Sequence, residues 1–476
     1  MTAATLALYG VLLAAAVAAV LRRPVVALYL FVLGLPLHNI VMSLLYGGGV
    51  RGNALDAIQA WKEILLAAAL LSVASNTLLR GRLPFRPMWL DGLALAYAAV
   101  VVLYALIPQS ALGGHAGARA ILYGLRHDLV PVAAYFLGRA VVPELRKVGT
   151  AIVVAAAAVA AWGLVEVYTV PIEWWRHSGA VGYFHHELGY DYHGPAGLPE
   201  NFAFNTSDGL FRRLVSTFVS PLATAYMLVV ALLLLAPNRR HPRVAAALGV
   251  VMAAGLLWTF SRSSIVALAG GLLVLAFALR RWWPVAAAVV VAAGGLGFAS
   301  IFHEIAPRTH WYASDLPYQE AQAKAKGPLP KSSGLTGTAT LGEPSIRSHL
   351  DSLRDGIRTV VHHPQGYGLG NAGTTAQRFG VKLEAGESNY TELGAETGIA
   401  GALLFIAWSL ALLVALLRNA WREDRFGAAI VAGLAAVLAL GIQTDAFGVP
   451  WLAYCLWWLA GSALSRHAEK AVRLGG

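Results

Sequence analysis

The chain has one cysteine, Cys455, in 476 residues. A single thiol cannot close an intrachain disulfide, and it excludes a thiolate metal cluster. Charge is scarce as well. Asp, Glu, Lys and Arg make up 13% of the residues, against about 25% in an ordinary soluble domain. That deficit excludes a soluble globular protein of this size. Short segments of alternating apolar and polar residues are missing too, which excludes a membrane β-barrel.

What fills the chain instead is apolar. Hydrophobic residues reach 58% and the mean hydropathy is +0.61. A membrane-spanning helix needs about 20 mostly apolar residues, and inside lipid only helices or closed barrels satisfy their own backbone. Runs rich in Ala, Leu and Val predict an all-α polytopic membrane protein with about 12–13 spans, near 4–21, 24–46, 57–75, 88–107, 121–138, 148–170, 214–236, 243–260, 263–279, 282–301, 398–417, 426–442 and 448–464. Lys62 and Glu63 interrupt the third. The first run has no basic residue before it and Arg22 and Arg23 after it, opposite to a secretory leader. It is expected to be a retained span. Organisation follows as N-terminal spans (1–170), a first loop (171–213), central spans (214–301), a second loop (302–397), and C-terminal spans with a tail (398–476).

Basic residues cluster in alternate connections, as Arg22/Arg23, Arg80/Arg82/Arg86, Arg139/Arg146/Lys147, Arg239/Arg240/Arg243, Arg280/Arg281 and Arg418/Arg422/Arg425. The positive-inside rule assigns that side to the cytoplasm. Both long loops then lie outside. The net charge of +11 is mainly topological, so no nucleic acid partner is expected.

The first loop is crowded with aromatics and histidines. His185, His186 and His193 lack the spacing of a zinc signature. Beside Trp174, Trp175, Tyr183, Tyr190 and Tyr192 they suit sugar binding and stacking, and the aromatics equally suit an interfacial belt. The second loop opens on a polar stretch, 313–343, expected to be mobile. A helix over 345–362 follows, with Leu350, Leu353, Ile357 and Val360 on one face and Arg347, Asp351, Arg354, Asp355 and Arg358 on the other. Such a helix lies on a membrane surface or caps a cavity. The glycines of GYGLG read as a tight turn, since the full dinucleotide fingerprint is absent.

Arginines on the outer side run against the topological trend. Arg262 sits in TFSRSS with Ser261 and Ser263 beside it, between two spans. Arginine at a membrane edge marks a function or simply snorkels to the interface. Arg213 closes the first loop, Arg119 and Arg126 precede or enter the fifth span, and Arg347 opens the amphipathic helix. Each alone is consistent with an ion pair. As a set, their guanidinium forks suit an anionic, lipid-linked ligand. Glu387, in GESNYTELGAETG, stands before a span where a carboxylate serves as a general base, a helix cap or an ion-pair partner. Glu392 and Glu396 compete with it, and Tyr390 is placed to orient it or stack on a sugar.

RLVSTFVSPLATAYML, TFSRSSIVALAGG, EPSIRSHLDSLRDGIRTVVHHPQGYGLGNAG and ESNYTELGAETGIAGALLF, in that order over about 200–415, resemble the O-antigen ligase/polymerase superfamily of bacterial inner-membrane glycosyltransferases. The resemblance implies a multi-pass inner-membrane enzyme with its active site on the periplasmic side. A glycan carried on undecaprenyl pyrophosphate would be attacked by the hydroxyl of a glycan or lipid acceptor. Arg213 and Arg262 would bind the pyrophosphate and stabilise its growing charge, and Glu387 would be the base. Arg126, Arg119, Arg347, Ser261, Ser263, Tyr390, Trp174 and Trp175 would bind substrate. No cofactor and no metal are implied, in keeping with the lack of an Asp-x-Asp cluster in the loops. Where the ligase branch has His, this chain has Glu387, in a Glu-Ser-x-Tyr form that looks more like the polymerase branch. Polymerisation of O-antigen, capsule or exopolysaccharide repeat units is therefore the first expectation. Transfer of a finished glycan to lipid A-core or another acceptor is the second. A lipid-linked sugar transporter is the third, disfavoured because the unusual charges sit at the edge.

Overall fold

The computed structural model describes residues 2–206, 209–237, 241–326, 344–421 and 425–474. Apolar runs become helices because a backbone in lipid must bond to itself. Ten come first: α1 (Thr2–Arg22), α2 (Val25–Gly47), α3 (Trp61–Arg80), α4 (Trp89–Leu106), α5 (Ala118–Ala140), α6 (Leu145–Thr169), α7 (Pro221–Leu235), α8 (Pro242–Trp258), α9 (Arg262–Leu279) and α10 (Trp283–Ile305). The second loop holds α11 (Leu316–Lys326), α12 (Pro344–His362) and α13 (Gly373–Arg378). Then come α14 (Asn389–Ala420), α15 (Arg425–Leu440) and α16 (Trp457–Leu474), the last continuing a π turn at Leu452–Leu456. Eight of these are long and apolar enough to cross a membrane, and α7, α8 and α15 are apolar but shorter. The expected all-α polytopic architecture is the one observed.

Local chemistry explains the bends. Pro36 sits in the 3₁₀ turn Leu35–Leu37 that bends α2, because proline has no N–H to continue the ladder. α3 begins at Trp61, so Lys62 and Glu63 fall in its first turn rather than in mid-span. α7 starts at Pro221 with the Ser220 hydroxyl accepting the Ala223 N–H at 3.3 Å, a regular N-cap. α14 is broken at Gly398, where φ is 67° and ψ 176°. A Cβ there would meet the Pro364 carbonyl at 2.7 Å. The Tyr367 and Gly368 N–H groups donate to the carbonyls of Ala395 and Glu396, so the GYGLG turn satisfies the end of the first half-helix.

Close packing holds the bundle together. α5 and α16 nearly touch at Gly138 and Gly461, where a Cβ would come within 2.0 Å of the Trp458 carbonyl and 2.2 Å of the Tyr135 carbonyl. Small residues of this kind let helix backbones approach. Trp408 stacks on Trp457 at 4.7 Å. Away from the long loops, Arg139 is buried and bonds both Asp91 oxygens at 3.1 Å. It also donates to the Arg86 carbonyl and to Ser465, clamping α4, α5 and α16.

Two features differ from expectation, and a third adds detail. A small antiparallel sheet forms from β1 (Ala203–Thr206), β2 (Gly209–Arg212) and β3 (Arg308–Thr309), joining the two loops. Part of the stretch expected to be mobile is α11, whose start is fixed by the Asp315 side chain bonding Ala196 N–H at 2.9 Å and Tyr312 N–H at 3.0 Å. Its remainder, 327–343, lies outside the described residues, as do Arg239, Arg240 and Arg422. Finally, α12 packs edgewise. Gly356 seats against Thr391 and Val360 lies over Gly394, while Leu350 and Ile357 of the expected apolar face stay exposed. The first loop is itself a packed unit, with Trp175, Tyr183, Leu198 and Phe202 in its core.

Candidate functional site

Three groups of polar residues meet where the two loops cover the helices. The first surrounds Arg213. Its backbone N–H bonds the Phe202 carbonyl at 3.0 Å, and the Leu214 N–H bonds the Trp258 carbonyl at 3.0 Å, so the end of the first loop is tied to the end of α8. The Arg213 Nε donates to the Thr259 carbonyl at 2.8 Å. Burial and, next, the charge of neighbouring Arg262 push the Arg213 guanidinium down to about 9. Among the described residues Arg213 has no carboxylate partner. Arg262 is the first residue of α9, and its guanidinium lies 5.7 Å from the Phe204 and Phe260 ring centroids. Ser261 precedes it, its hydroxyl 2.7 Å from that of Ser264 and 3.3 Å from that of Ser263. Two guanidiniums therefore lie beside the N-terminus of an 18-residue helix, an end whose dipole favours an anion.

Arg212, next in sequence, has a separate duty. It bonds Glu166 at 2.7 Å inside the protein, and Glu166 also accepts from the Trp175 indole at 2.8 Å. The pair anchors the sheet and the first loop to α6. Trp175 is accordingly buried, whereas neighbouring Trp174 is exposed.

The second group is a buried network under the 441–449 turn. Asp445 accepts from Asn389 Nδ2, Thr374 Oγ1 and the Gly448 N–H, each at 2.8 Å. Its Oδ1 lies 3.3 Å from His127 Nε2, and His127 Nδ1 lies 3.0 Å from Asp128. Burial alone would raise the Asp445 carboxyl. The His127 charge and the hydrogen bonds from His127, Asn389 and Thr374 outweigh it and hold the group below the usual carboxylate range. Glu392 and Glu396 are buried beside this network, and Glu396 accepts the Gly370 N–H at 2.8 Å. His127, Glu392 and Asp445 place ligand atoms within 4.8 Å of one another, so they are the residues able to hold a cation. In this structure His127 and Asp445 are spent on each other. His185, His186 and His193 go separate ways: His185 to the Gly197 carbonyl at 2.9 Å, His193 onto the Tyr318 ring at 3.8 Å, and His186 toward Tyr46.

The third group lines a cavity of about 540 Å³ between α3, α5, α13, the first loop and the 441–449 turn. That volume is within the range of small-ligand pockets. Asp445, Arg126, Tyr123 and Arg378 all reach its wall. Arg126 pairs with Glu63 at 3.0 Å.

Glu387 stands apart from the cavity, at the entry to α14. Its Oε2 is 2.7 Å from His349 Nδ1 on α12, and its φ of +66° is left-handed. A residue with a side chain rarely adopts that conformation unless its surroundings hold it there. Gly386 before it accepts the Ser352 hydroxyl, and Asn389 after it reaches Asp445. Tyr390 turns inward: its hydroxyl donates to the Leu438 carbonyl at 2.9 Å and its ring packs on Phe405 and Phe447.

The structure thus brings Arg213, Arg262, Ser261 and Ser263 together and puts Arg126 in the cavity wall. Arg119 and Arg347 are exposed, and neither lines the cavity. Trp175 and Tyr390 are committed to internal contacts. Sequence reasoning passed over His127, Asp128, Asp445, His349 and Arg378. Charged side chains inside a predicted span, such as His127 and Asp128, are a functional signal in their own right. Asp445, the one acid between the last two predicted spans, is another. Arg378 carries no such signal.

Residues 247–406 match the family described as O-antigen ligase. No curated protein matches the chain.

Proposed function

We propose, from the match of residues 247–406 to the O-antigen ligase family, that this multi-pass membrane protein is an enzyme that polymerises glycan repeat units carried on undecaprenyl pyrophosphate. The reaction runs at the outer face of the bacterial inner membrane. An acceptor sugar hydroxyl attacks the anomeric carbon of the donor glycan. The bond from that carbon to the pyrophosphate oxygen breaks, and the lipid pyrophosphate leaves with the electron pair. The acceptor proton goes to a base, assigned to Glu387 with His349 at its other oxygen. Arg213 and Arg262 receive the leaving pyrophosphate, and Ser261 and Ser263 add hydroxyls at the same helix end. Charge developing on the leaving group is met by fixed guanidiniums, so the transfer is of the metal-independent, GT-C-like kind.

One observation carries this reading. Arg213 is held at a covered position beside a second guanidinium, with a carbonyl rather than a carboxylate for company. A covered guanidinium with no carboxylate beside it among the described residues favours an anionic ligand. The acid at Glu387, where a ligase has histidine, supports the polymerase branch. Transfer to lipid A-core or another acceptor uses the same donor site.

Purified protein given lipid-linked repeat units tests it. Longer glycans mean polymerase. Glycan on a new acceptor means ligase. Transbilayer movement in liposomes without transfer means a transporter and ends the enzyme reading. Arg262→Ala should cut turnover by roughly 10²–10³, the cost of losing one preorganised donor, with Lys rescuing only in part.

A further inference from the structure

We infer that the 540 Å³ cavity is a subsite for an anionic sugar of the glycan, one bearing a carboxylate or a phosphate, with Arg378 as its specificity determinant. The inference rests on the glycan-transfer reading above and names the substrate class at that site.

The Tyr123 ring takes a guanidinium at 4.2 Å from Arg126 and another at 4.1 Å from Arg378. Arg126 and Lys62 share one carboxylate, Glu63, at 3.0 and 3.5 Å. Arg378 has no carboxylate within ion-pair distance among the described residues. Lys62, Arg126 and Arg378 therefore face a single engaged acid. Two other acids reach the wall, Asp56 and Asp445. Asp445 is engaged by His127 at 3.3 Å and by three further donors, and Asp56 is exposed. Arg378 is thus the guanidinium of this wall left without an acid at ion-pair distance among the described residues.

The part of the wall supplied by the first loop fits a sugar ring. Tyr190 and Tyr192 stack at 5.1 Å with 21° between their planes, giving aromatic surface on which the C–H face of a pyranose can lie. Asn201 and Thr374 bring polar groups for hydroxyls. A neutral sugar would use the tyrosines and leave the Arg378 guanidinium without a counterion. A carboxylate or phosphate would use both, with Arg378 as a planar fork seated over Tyr123.

The test has two parts. In the source organism, deleting the gene should remove a polymer, and the lost polymer should contain a carboxylated or phosphorylated sugar. A lost polymer of neutral sugars only overturns the inference while leaving the enzyme reading intact. No lost polymer overturns both. In the purified protein, Arg378→Gln should raise KM for the native repeat unit about 10- to 100-fold, the range for a lost charge-assisted contact, with kcat within about threefold. Arg378→Lys should recover part of it. Borohydride reduction of activated carboxyls, or phosphatase treatment, should reproduce the KM rise in the wild type and erase the difference between wild type and Arg378→Gln. Which treatment does so identifies the anion. Unchanged KM in Arg378→Gln, or full use of the neutralised substrate, refutes the subsite.

Discussion

Replacing Arg213 by Gln should leave the ligand-free protein as stable as the wild type or more so, while removing its response to pyrophosphate. Burial and Arg262 bring Arg213 from an ordinary value of 12.5 to about 9. At about 1.4 kcal/mol per unit, that caps the cost of its charge near ~5 kcal/mol. The side chain is half-buried rather than sealed, so solvent screening reduces the figure to ~1–3 kcal/mol. Against it stands the bond to the Thr259 carbonyl, worth ~1 kcal/mol and partly kept by the Gln amide. The balance is a gain of ~0–2 kcal/mol. The sign follows from a depressed base: its charged form is disfavoured at all pH values below about 9, and the cost fades only as pH rises through that value. An anion reverses the account. Inorganic pyrophosphate at a hundred times its Kd should stabilise the wild type by about 2.7 kcal/mol and Arg213→Gln by nearly nothing. Thermal unfolding in detergent, with and without pyrophosphate, measures both. A variant that loses ~2 kcal/mol or more without ligand, yet is stabilised by pyrophosphate like the wild type, would refute the assignment.

Glu387→Gln should lower turnover by about 10²–10⁴ with donor binding kept, and His349→Ala should lower it less; the reverse order in single-turnover assays would make His349 the base and Glu387 its orienter. Glu387→Gly should abolish turnover yet raise stability by ~1 kcal/mol, because its left-handed φ costs a side-chain residue about that much; a loss of stability on unfolding in SDS would contradict the strain. Asp445 has a lowered carboxyl, so its contribution is full above about pH 5 and declines as pH falls below the unfolded value near 4. The stability gap between wild type and Asp445→Asn should therefore narrow on acidification, and a widening gap would rule the network out as a source of stability. For topology, Cys455 is buried and silent, so Ala321→Cys should react with an impermeant thiol reagent from outside the cell and Arg82→Cys should not; protection of Ala321→Cys would invert the orientation.

The helices were legible because about 20 apolar residues in a row have few other fates. Lys62 and Glu63 weakened one span only because the start of α3 was placed four residues early. The sheet was not legible. β2 and β3 are far apart in sequence, and β3 is two residues long, too short for any period. Arg213 and Arg262 were singled out because each sits at a span end where a charge needs a reason. Their juxtaposition depends on backbone bonds between Phe202, Arg213 and Trp258, which no local pattern announces. The His127–Asp445 contact spans 318 positions, and Arg378 joins Tyr123 from over half the chain away. Sites assembled from distant segments are visible in sequence only through the oddness of each residue where it stands.

The docking of the 107–117 connection on the GYGLG turn bears on how the chain is made. Asn371 Oδ1 accepts the N–H groups of His115 and Ala116, and its amide donates to Gln109 at 2.8 Å. Those partners are 255 to 262 positions earlier. At about 5–20 residues per second, they emerge from the ribosome roughly 13 to 50 seconds before Asn371 does. Throughout that interval α4 and α5 are joined by a segment whose polar backbone awaits its partner. A nascent chain of this protein is therefore a half-finished bundle for much of its synthesis, and a membrane chaperone or protease that inspects exposed polar groups has a long opportunity there, before the second loop arrives to close the site.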